Sequence, residues 1–175
     1  MILKIFVVIV ALIAAVLIFA ATRPNTFHVQ RSMIIHAPAD KIFALINNLP
    51  SWDSWEPDDR KDTTMKKTFS GPASGMGATA EWDSKGQGGK GRLSIIEAVP
   101  NSKVAVKVDF VKPFEAHNLN EFKLEPDSGG TKVTWSIEAS NLYAMKLIGV
   151  FFNIPRQFGK HVKSGLSNLK SVAEK

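Results

Sequence analysis

The stretch TKVTWSIEAS, residues 131–140, alternates apolar and polar side chains along its length, with Val133, Trp135 and Ile137 separated by single polar residues. Because successive side chains of a β-strand point to opposite faces of the sheet, this pattern predicts a strand with one buried face and one wet face. The segment KVAVKVDF, residues 103–110, repeats the pattern. The chain is therefore predicted to contain a sheet with one covered side.

Short segments of the same kind fill residues 61–140, and turn residues such as Gly71-Pro72 and Pro100-Asn101 separate them. Connections of hairpin length favour an antiparallel meander over a sheet with crossover helices. The segment FHVQRSMIIHA, residues 27–37, has β-branched and apolar residues in an extended pattern and adds a first strand. About seven strands are predicted in total.

Beyond Asn141 the apolar residues take a helical spacing, and Ile154, Phe158, Val162 and Leu166 recur every four residues. This spacing predicts a long amphipathic helix at the carboxyl end. An antiparallel sheet has one apolar face to cover, and this helix is the available cover, so the fold class is α+β. A sheet of this size curves around one helix and leaves space between the two layers.

The segment LPSWDSWEPD, residues 49–58, places Trp52 and Trp55 in a short helical region between the first strand and the later ones. We expect these indoles to close the mouth of the interior space, because an aromatic side chain contributes a large contact area and a polar N–H group.

Trp82 and Trp135 alternate with polar neighbours and are expected to face inward, either as core residues or as lining of a ligand cavity. Phe151 and Phe152, near the start of the covering helix, are further candidates for the cavity lining, with ordinary helix–sheet packing as the alternative.

His117 and Glu121 fall on one face of a predicted strand and invite an acid–base interpretation. Four residues of strand separate them by about 13 Å, which is too far for a direct hydrogen bond. His117 remains a candidate for the cavity wall, and no catalytic residue is identified. Glu56 and Arg92 are expected at the cavity rim.

The amino-terminal run IFVVIVALIAAVLIFAA, residues 5–21, carries no charge and is just long enough to cross a bilayer as a helix. We predict a transmembrane anchor over residues 1–22, a linker over residues 23–26 and a domain over residues 27–175. A cleaved signal peptide is the alternative. Lys4 and Arg23 flank the run and give little orientation bias, so only its likeness to a signal sequence favours an extracytoplasmic domain at a single-pass membrane.

Removing Lys4 and Arg23 from the 22 basic residues leaves 20 against 16 acidic ones, a net charge of +4. These basic residues are dispersed, which argues against nucleic-acid binding. The chain has no cysteine, and its four histidines show no ligand spacing, so no metal site is predicted. GQGGKG, residues 86–91, fits a dinucleotide-binding pattern, but a predicted strand follows it instead of a helix. A hairpin turn is favoured, and no cofactor is predicted.

Several stretches together resemble the START-like (SRPBCC) superfamily that includes the birch-pollen allergen, and within it the bacterial polyketide cyclase/dehydrase-like branch. They are the Arg31-Ser32 pair, HAPADKIFALINNLPSWDSWEP (residues 36–57), FSGPASGMGATAEWDS (69–84), GKGRLSIIEAVPNSKV (89–104), GGTKVTWSIEA (129–139) and GKHVKSGLSNLK (159–170). The resemblance implies a helix-grip fold with a deep apolar cavity for lipids, sterols, polyketides or other hydrophobic molecules. It implies no fixed catalytic set.

The sequence therefore favours a membrane-tethered binding or carrier domain for a hydrophobic small molecule such as a lipid, a quinone or a polyketide-like compound. The first alternative is a polyketide cyclase/dehydrase-like enzyme that orients a reactive chain in the cavity. The second is an envelope scaffold or stress protein whose interior is fully packed. A continuous void of several hundred Å³ would favour binding over the scaffold.

Overall fold

The computed structural model describes residues 1–57, 62–86 and 88–175. Asp58 of the Trp segment and Gln87 of the predicted Gly-rich turn lie outside the described residues. The helices in these ranges are α1 (Ile2–Ala21), α2 (Ala39–Asn47), a 3-10 helix (Leu49–Ser54), α3 (Tyr143–Phe151) and α4 (Ile154–Ala173). The strands are β1 (Thr26–Ile35), β2 (Lys66–Ser70), β3 (Thr79–Asp83), β4 (Lys90–Val99), β5 (Lys103–Lys112), β6 (Ala116–Asp127) and β7 (Gly130–Ser140).

The seven strands form one antiparallel sheet in the order β1-β7-β6-β5-β4-β3-β2. β2 to β7 follow one another as a meander, and β1 pairs with β7 along its whole length, from Thr26 opposite Ser140 to Ile35 opposite Thr131. The side chains of β7 that face inward are those that its alternation predicts, since Val133, Trp135 and Ile137 are all buried. The prediction of an α+β helix-grip fold with about seven strands is confirmed.

The long helix α4 covers the β1 and β7 side of the sheet. Val162, Leu166 and Leu169 are fully buried on its inner face, and the Phe158 ring meets the Phe27 ring of β1 edge-on at 5.0 Å. The helix begins after Asn153, whose side chain accepts a hydrogen bond from the Arg156 backbone N–H at 2.9 Å. This cap explains why a separate helix, α3, precedes it.

The 3-10 helix is held against α2 by its indoles. Asn48 Oδ1 caps it by accepting from the Ser51 backbone N–H at 3.2 Å. Trp52 Nε1 then donates to the Ile46 carbonyl at 2.9 Å, and Trp55 Nε1 donates to the Leu45 carbonyl at 3.3 Å. Both bonds satisfy carbonyls near the end of α2 that lack a helical partner, so the Trp pair fixes this connection in place.

The amino-terminal helix α1 is apolar except for Lys4, with a mean hydropathy of 3.2 over its most apolar part, and it is long enough to cross a membrane. A signal sequence meets the same criterion. Where α1 ends, Asn141 Nδ2 donates to the Pro24 carbonyl at 2.9 Å and Tyr143 Oη donates to the Leu17 carbonyl at 3.1 Å. The division into anchor, linker and domain remains a prediction.

Candidate functional site

A cavity of about 380 Å³ lies between the sheet and the first turns of α4. Among the described residues, ten of the lining side chains are apolar, and five of these are aromatic. The lining comprises Trp52, Glu56, Met65, Lys67, Ala80, Trp82, Gly88, Leu93, Val108, Phe110, Asn118, Asn120, Trp135, Ile137, Gln157, Phe158 and His161. Its size falls within the range of sites that bind small molecules in proteins.

One end of the cavity is built by Trp82 and Phe110, whose rings meet edge-on at 5.4 Å. Gly91 of β4 pairs with Trp82 on one side and with Phe110 on the other, so the two rings meet over a position without a side chain. A Cβ atom at Gly91 would overlap the Trp82 ring. Trp82 Nε1 also donates to the Gly88 carbonyl at 2.9 Å, which fixes the indole in the wall.

The other end is closed by a solid aromatic cluster. Trp55 and Phe122 are completely buried, with ring centroids 6.0 Å apart, and Trp135 packs on both, 5.9 Å from Trp55 and 4.8 Å from Phe122. Gly165 of α4 makes this packing possible, because a Cβ atom there would overlap the Trp135 ring. The helix can therefore approach the sheet closely at this point and leaves no space for a ligand.

Two asparagines of β6 bring polar groups into the apolar wall. Asn118 and Asn120 are 8% and 7% exposed and are separated by one residue, which places them on the same face of the strand. Asn120 Oδ1 accepts from Trp135 Nε1 at 2.9 Å, and Asn118 Oδ1 accepts from the Ser140 backbone N–H at 3.2 Å. Since each oxygen is used by a protein donor, each Nδ2 group is left as a hydrogen-bond donor at the cavity.

A third polar feature is a close contact between a carboxylate and an imidazole in the cavity wall. His161 Nε2 of α4 lies 3.0 Å from a carboxylate oxygen of Glu56, and the Glu56 side chain is about nine-tenths buried. The His161 ring also meets the Trp135 ring edge-on at 5.6 Å. Lys67 of β2 lies in the same lining and bonds Asp53 at 2.6 Å. Within the described part of the chain, no three acidic or histidine side chains converge as metal ligands would.

Three of the predicted cavity residues, Trp52, Trp82 and Trp135, line this cavity. Glu56 lies in the wall, not at an exposed rim. Trp55 does not reach the cavity, because its ring is enclosed by Trp52, Phe122 and Trp135. Of the two indoles, Trp52 therefore lines the cavity and Trp55 lies behind it. Whether any of them touches a ligand remains a prediction.

His117 and Arg92 lie away from the cavity because their positions alternate with lining residues. Asn118 faces inward, so His117 points to the opposite face of the sheet, where its side chain is 67% exposed and Nδ1 lies 2.5 Å from Asp109 Oδ1. Burial raises the pKa of Asp109, but bonds from His117 and Lys107 outweigh it and hold that pKa below its usual value. Arg92 precedes the lining residue Leu93 and is likewise exposed.

Glu121 lies on the same outer face and belongs to a cluster of surface charges. Lys103 Nζ is 2.8 Å from Glu97 and 3.0 Å from Glu121, and Lys123 Nζ is 3.3 Å from Glu121. Burial raises the pKa of Glu121, but the two lysines outweigh it and give a net lowering. A carboxylate held ionised in water beside lysines supports the sheet surface and does not face the cavity.

Phe151 and Phe152 lie outside the cavity as well. They end α3 one turn before α4 begins, and their side chains are exposed to solvent. The lining phenylalanine of this region is Phe158, which is on the inner face of α4. The helix boundary at Asn153 separates Phe151 and Phe152 from the inner face of α4.

The sequence analysis also missed the polar lining residues Asn118, Asn120, Lys67 and His161. A signal for the asparagines was present: both share the inward phase of Phe122 on β6, and a polar residue in a buried phase is informative. His161 follows Phe158 by three residues and so lies near the same helical stripe. No comparable signal marks Lys67, whose strand shows no clear alternation.

Comparisons with known proteins agree with this architecture. The family model described as polyketide cyclase/dehydrase and lipid transport matches residues 26–174. Among solved structures, norcoclaurine synthase from Thalictrum flavum superposes with a TM-score of 0.64 at 12% identity, covering 84% of this chain and 92% of that one. The ginseng major latex-like protein 151 from Panax ginseng gives 0.62 at 13% identity, covering 87% and 100%.

A di-domain aromatase/cyclase, StfQ of the steffimycin biosynthetic pathway, is also similar, with a TM-score of 0.65 at 11% identity. The superposition covers 86% of this chain and 51% of StfQ. A comparison with curated protein sequences finds no match. At these identities the structural similarities establish the fold, and the predicted superfamily resemblance is confirmed.

Proposed function

The chain belongs to the polyketide cyclase/dehydrase and lipid transport family, and from this premise we propose that it is a binding or carrier domain for a hydrophobic small molecule, held at a membrane by α1. The observation that carries the proposal is the cavity of about 380 Å³ with its largely apolar lining. A fully packed scaffold would have no such space, because protein interiors otherwise fill to crystal-like density.

The size of the cavity supports a compact ligand. Its volume is near the lower end of the range for small-molecule sites, so one ring system or one chain fits more readily than a lipid with two acyl chains. The exposed apolar surface of α1 supports the membrane part of the proposal. A tether at the bilayer would place the cavity where apolar compounds are concentrated.

The test is to purify the full chain from its own host in a lipid nanodisc and to analyse its contents by native mass spectrometry. We expect a bound apolar molecule that is absent from a variant with a filled cavity, Ala80→Phe. Ser128→Phe, an equal change at an exposed turn, serves as the control and should keep the molecule. Wild-type protein without a passenger, and without affinity for fluorescent fatty acids, sterols or polycyclic aromatics, would overturn the proposal.

A second candidate function is catalysis, and the Glu56–His161 pair favours it. A carboxylate and an imidazole 3.0 Å apart in a cavity wall have the composition of a general acid–base pair. Such a pair could remove a proton next to the carbonyl group of a bound ketone and return one from water.

Deuterium exchange at the α-carbon of 1-indanone in D₂O, followed by NMR, tests this candidate. Exchange faster than in buffer that is lost in both Glu56→Gln and His161→Gln would support it, and His117→Gln on the outer face is the matched control. Exchange at the buffer rate in the wild-type protein, or equal loss in the control, would contradict it.

A further inference from the structure

The two asparagine amides in the cavity wall identify the chemistry of the ligand more closely. We propose that the ligand is a planar aromatic compound with a carbonyl oxygen, which accepts a hydrogen bond from Asn118 or Asn120. This inference rests on the proposed function and names the ligand class of the same cavity.

The orientation of both amides is fixed by their protein partners. Trp135 Nε1–H can only donate, so the Asn120 atom 2.9 Å away is the oxygen, and the same reasoning applies to the Ser140 N–H and Asn118. Among residues 1–57, 62–86 and 88–175, the structure gives neither Nδ2 group a protein acceptor. Asn47 Oδ1 is the one unpartnered side-chain polar atom in those ranges that is sealed from solvent, so both Nδ2 groups are open to the cavity.

Unpaired amide donors are costly in an apolar cavity and are normally satisfied. A plain hydrocarbon would bury them without an acceptor, whereas a carbonyl oxygen would pair with them. The aromatic residues of the wall, Trp52, Trp82 and Phe110 among them, present flat faces and edges that suit a planar ring system. The two features together select an aromatic ketone or quinone-like compound over an alkane chain.

Fluorene and 9-fluorenone test the proposal because they share one ring framework and differ by the carbonyl oxygen. Equilibrium dialysis with the full chain in nanodiscs gives the ratio of the two affinities, with empty nanodiscs correcting for partition into lipid. We expect wild-type protein to bind 9-fluorenone about tenfold more tightly than fluorene.

Asn118→Asp and Asn120→Asp keep the oxygen that the protein uses and replace the donor with an acceptor. The retained N–H bond favours the ionised form of each new carboxyl group, so the measurement is made at pH 8. We expect at least one of these variants to lower the ratio to about one, since its carboxylate would repel the carbonyl oxygen. Asn101→Asp makes the same change at an exposed turn outside the lining and should keep the wild-type ratio.

Because a ratio is measured, a variant that only loosens the fold lowers both affinities and leaves the ratio intact. Equal binding of both compounds to the wild-type protein, or a wild-type ratio in both asparagine variants, would overturn the inference and leave the proposed function standing. Failure of the wild-type protein to bind either compound would overturn this inference, and the proposed function would fall with it only if the purified protein also carried no apolar passenger.

A second inference follows from α3, which carries exposed apolar residues beside α1. We propose that α3 lies in the membrane interface and rests the domain on the bilayer. This inference also depends on the proposed function, because it requires α1 to span the membrane.

The length of α1 sets the depth at which α3 lies in the bilayer. At 1.5 Å per residue the 20 residues of α1 extend about 30 Å, which is the thickness of the hydrocarbon core, so the whole helix is needed to cross it. Tyr143, the first residue of α3, donates a hydrogen bond to the Leu17 carbonyl at 3.1 Å. Leu17 lies about 6 Å before the end of α1. The start of α3 therefore lies within about one helical turn of the edge of the hydrocarbon core.

The surface of α3 has the composition of a membrane interface. Phe151 and Phe152 are 72% and 62% exposed, and Ile148 is half exposed. Arg23 stacks over the Phe19 ring at 4.7 Å at the end of α1, and the exposed Arg156 follows Phe152 in the first turn of α4. Aromatic residues bordered by arginines suit the boundary between acyl chains and anionic headgroups.

This placement would bring the cavity to the lipid. Gln157, the exposed residue of the described lining, follows Phe152 by five residues, and Phe158 and His161 line the cavity from the next turn. A ligand could then pass between the bilayer and the cavity at the start of α4.

The absence of cysteine from the chain permits single-cysteine labelling with an environment-sensitive fluorophore. Probes at Phe151→Cys, Phe152→Cys, Ile9→Cys and Ser128→Cys are compared in proteoliposomes, with doxyl-labelled lipids as quenchers. The probe at Ile9 reports whether α1 inserts into the bilayer. Ser128 lies just beyond Gly130, the end of β7 that is about 33 Å from Ser140.

We expect blue-shifted emission and loss of most fluorescence at Ile9, Phe151 and Phe152, with no quenching at Ser128. Quenching at Ile9 without quenching at either phenylalanine position would overturn this inference alone. Absence of quenching at Ile9 would overturn it together with the proposed anchor.

Discussion

The interior of this domain has a packed half and a hollow half, and both are built from aromatic residues. In the packed half Trp55 and Phe122 are completely buried and pack against Trp135, which also borders the cavity. In the hollow half Trp82 and Phe110 stand at the wall of a cavity of about 380 Å³. The two halves differ in what lies opposite the sheet, not in the residue types that the sheet presents.

The position of α4 accounts for the difference. The helix packs mainly on β1 and also on β7, where Gly165 lets it approach the Trp135 ring. Its first turns contribute Phe158 and His161 to the cavity wall, and β3 and β4 supply the opposite wall. One helix is too narrow to cover seven strands, because its diameter with side chains is about 10–12 Å while strands lie about 4.8 Å apart. A covered sheet can therefore be solid beneath its helix and hollow beside it.

Removal of one tryptophan from each half gives the largest expected effect. We expect Trp55→Ala to lower the free energy of unfolding by about 3–5 kcal/mol, because it leaves a hole in a closely packed cluster. Trp82→Ala should cost about 2 kcal/mol, since part of the Trp82 surface already borders empty space. Urea unfolding followed by circular dichroism measures both changes. Equal losses would show that the two halves are packed alike.

Enlargement of two buried alanines sharpens the comparison. Ala80 and Ala139 both belong to the buried core, but only Ala80 lines the cavity. We expect Ala139→Leu to destabilise the protein by about 1–3 kcal/mol through overpacking, and Ala80→Leu by less than about 1 kcal/mol, because the cavity has room for it.

The variant that destabilises the protein less should weaken ligand binding more. Ala80→Leu should weaken the binding of 9-fluorenone, because the new side chain occupies the cavity, whereas Ala139→Leu should retain it. If Ala80→Leu destabilises the protein as much as Ala139→Leu does and leaves binding intact, the cavity is not the binding site.

The smallest effect on stability is expected from a substitution on the outer face of the sheet, which lies away from both the aromatic cluster and the cavity. Asp109 has a lowered pKa in the folded protein, so its contribution to stability is complete above the ordinary carboxyl pKa and is lost as the pH falls through the lowered value. Asp109→Asn should therefore cost less than about 1 kcal/mol at pH 7 and less again at pH 3. Urea unfolding at both pH values checks the sign. A loss of ligand binding in this variant would connect the outer face to the cavity, contrary to the structure.

The outer face also shows where reasoning from residue chemistry fails. His117 and Glu121 have the side chains expected of a catalytic pair, yet both alternate with inward-facing Asn118 and Asn120. The strand phase was available in the sequence through Phe122. Chemical type alone pointed to the wrong face, because period two places neighbours on opposite sides of the sheet.

The sequence by itself determined the elements: alternation and turn residues predicted about seven strands with one covered side, and a spacing of three and four residues predicted α4. Local periodicity gives the face on which a side chain lies but not what stands across from it. Only the tertiary structure placed Trp55 in a solid cluster and Trp82 beside a void, and only it brought His161 to Glu56. The physical reason is that packing depends on the distance between layers, which residues far apart in the chain, such as Gly165 and Trp135, set together.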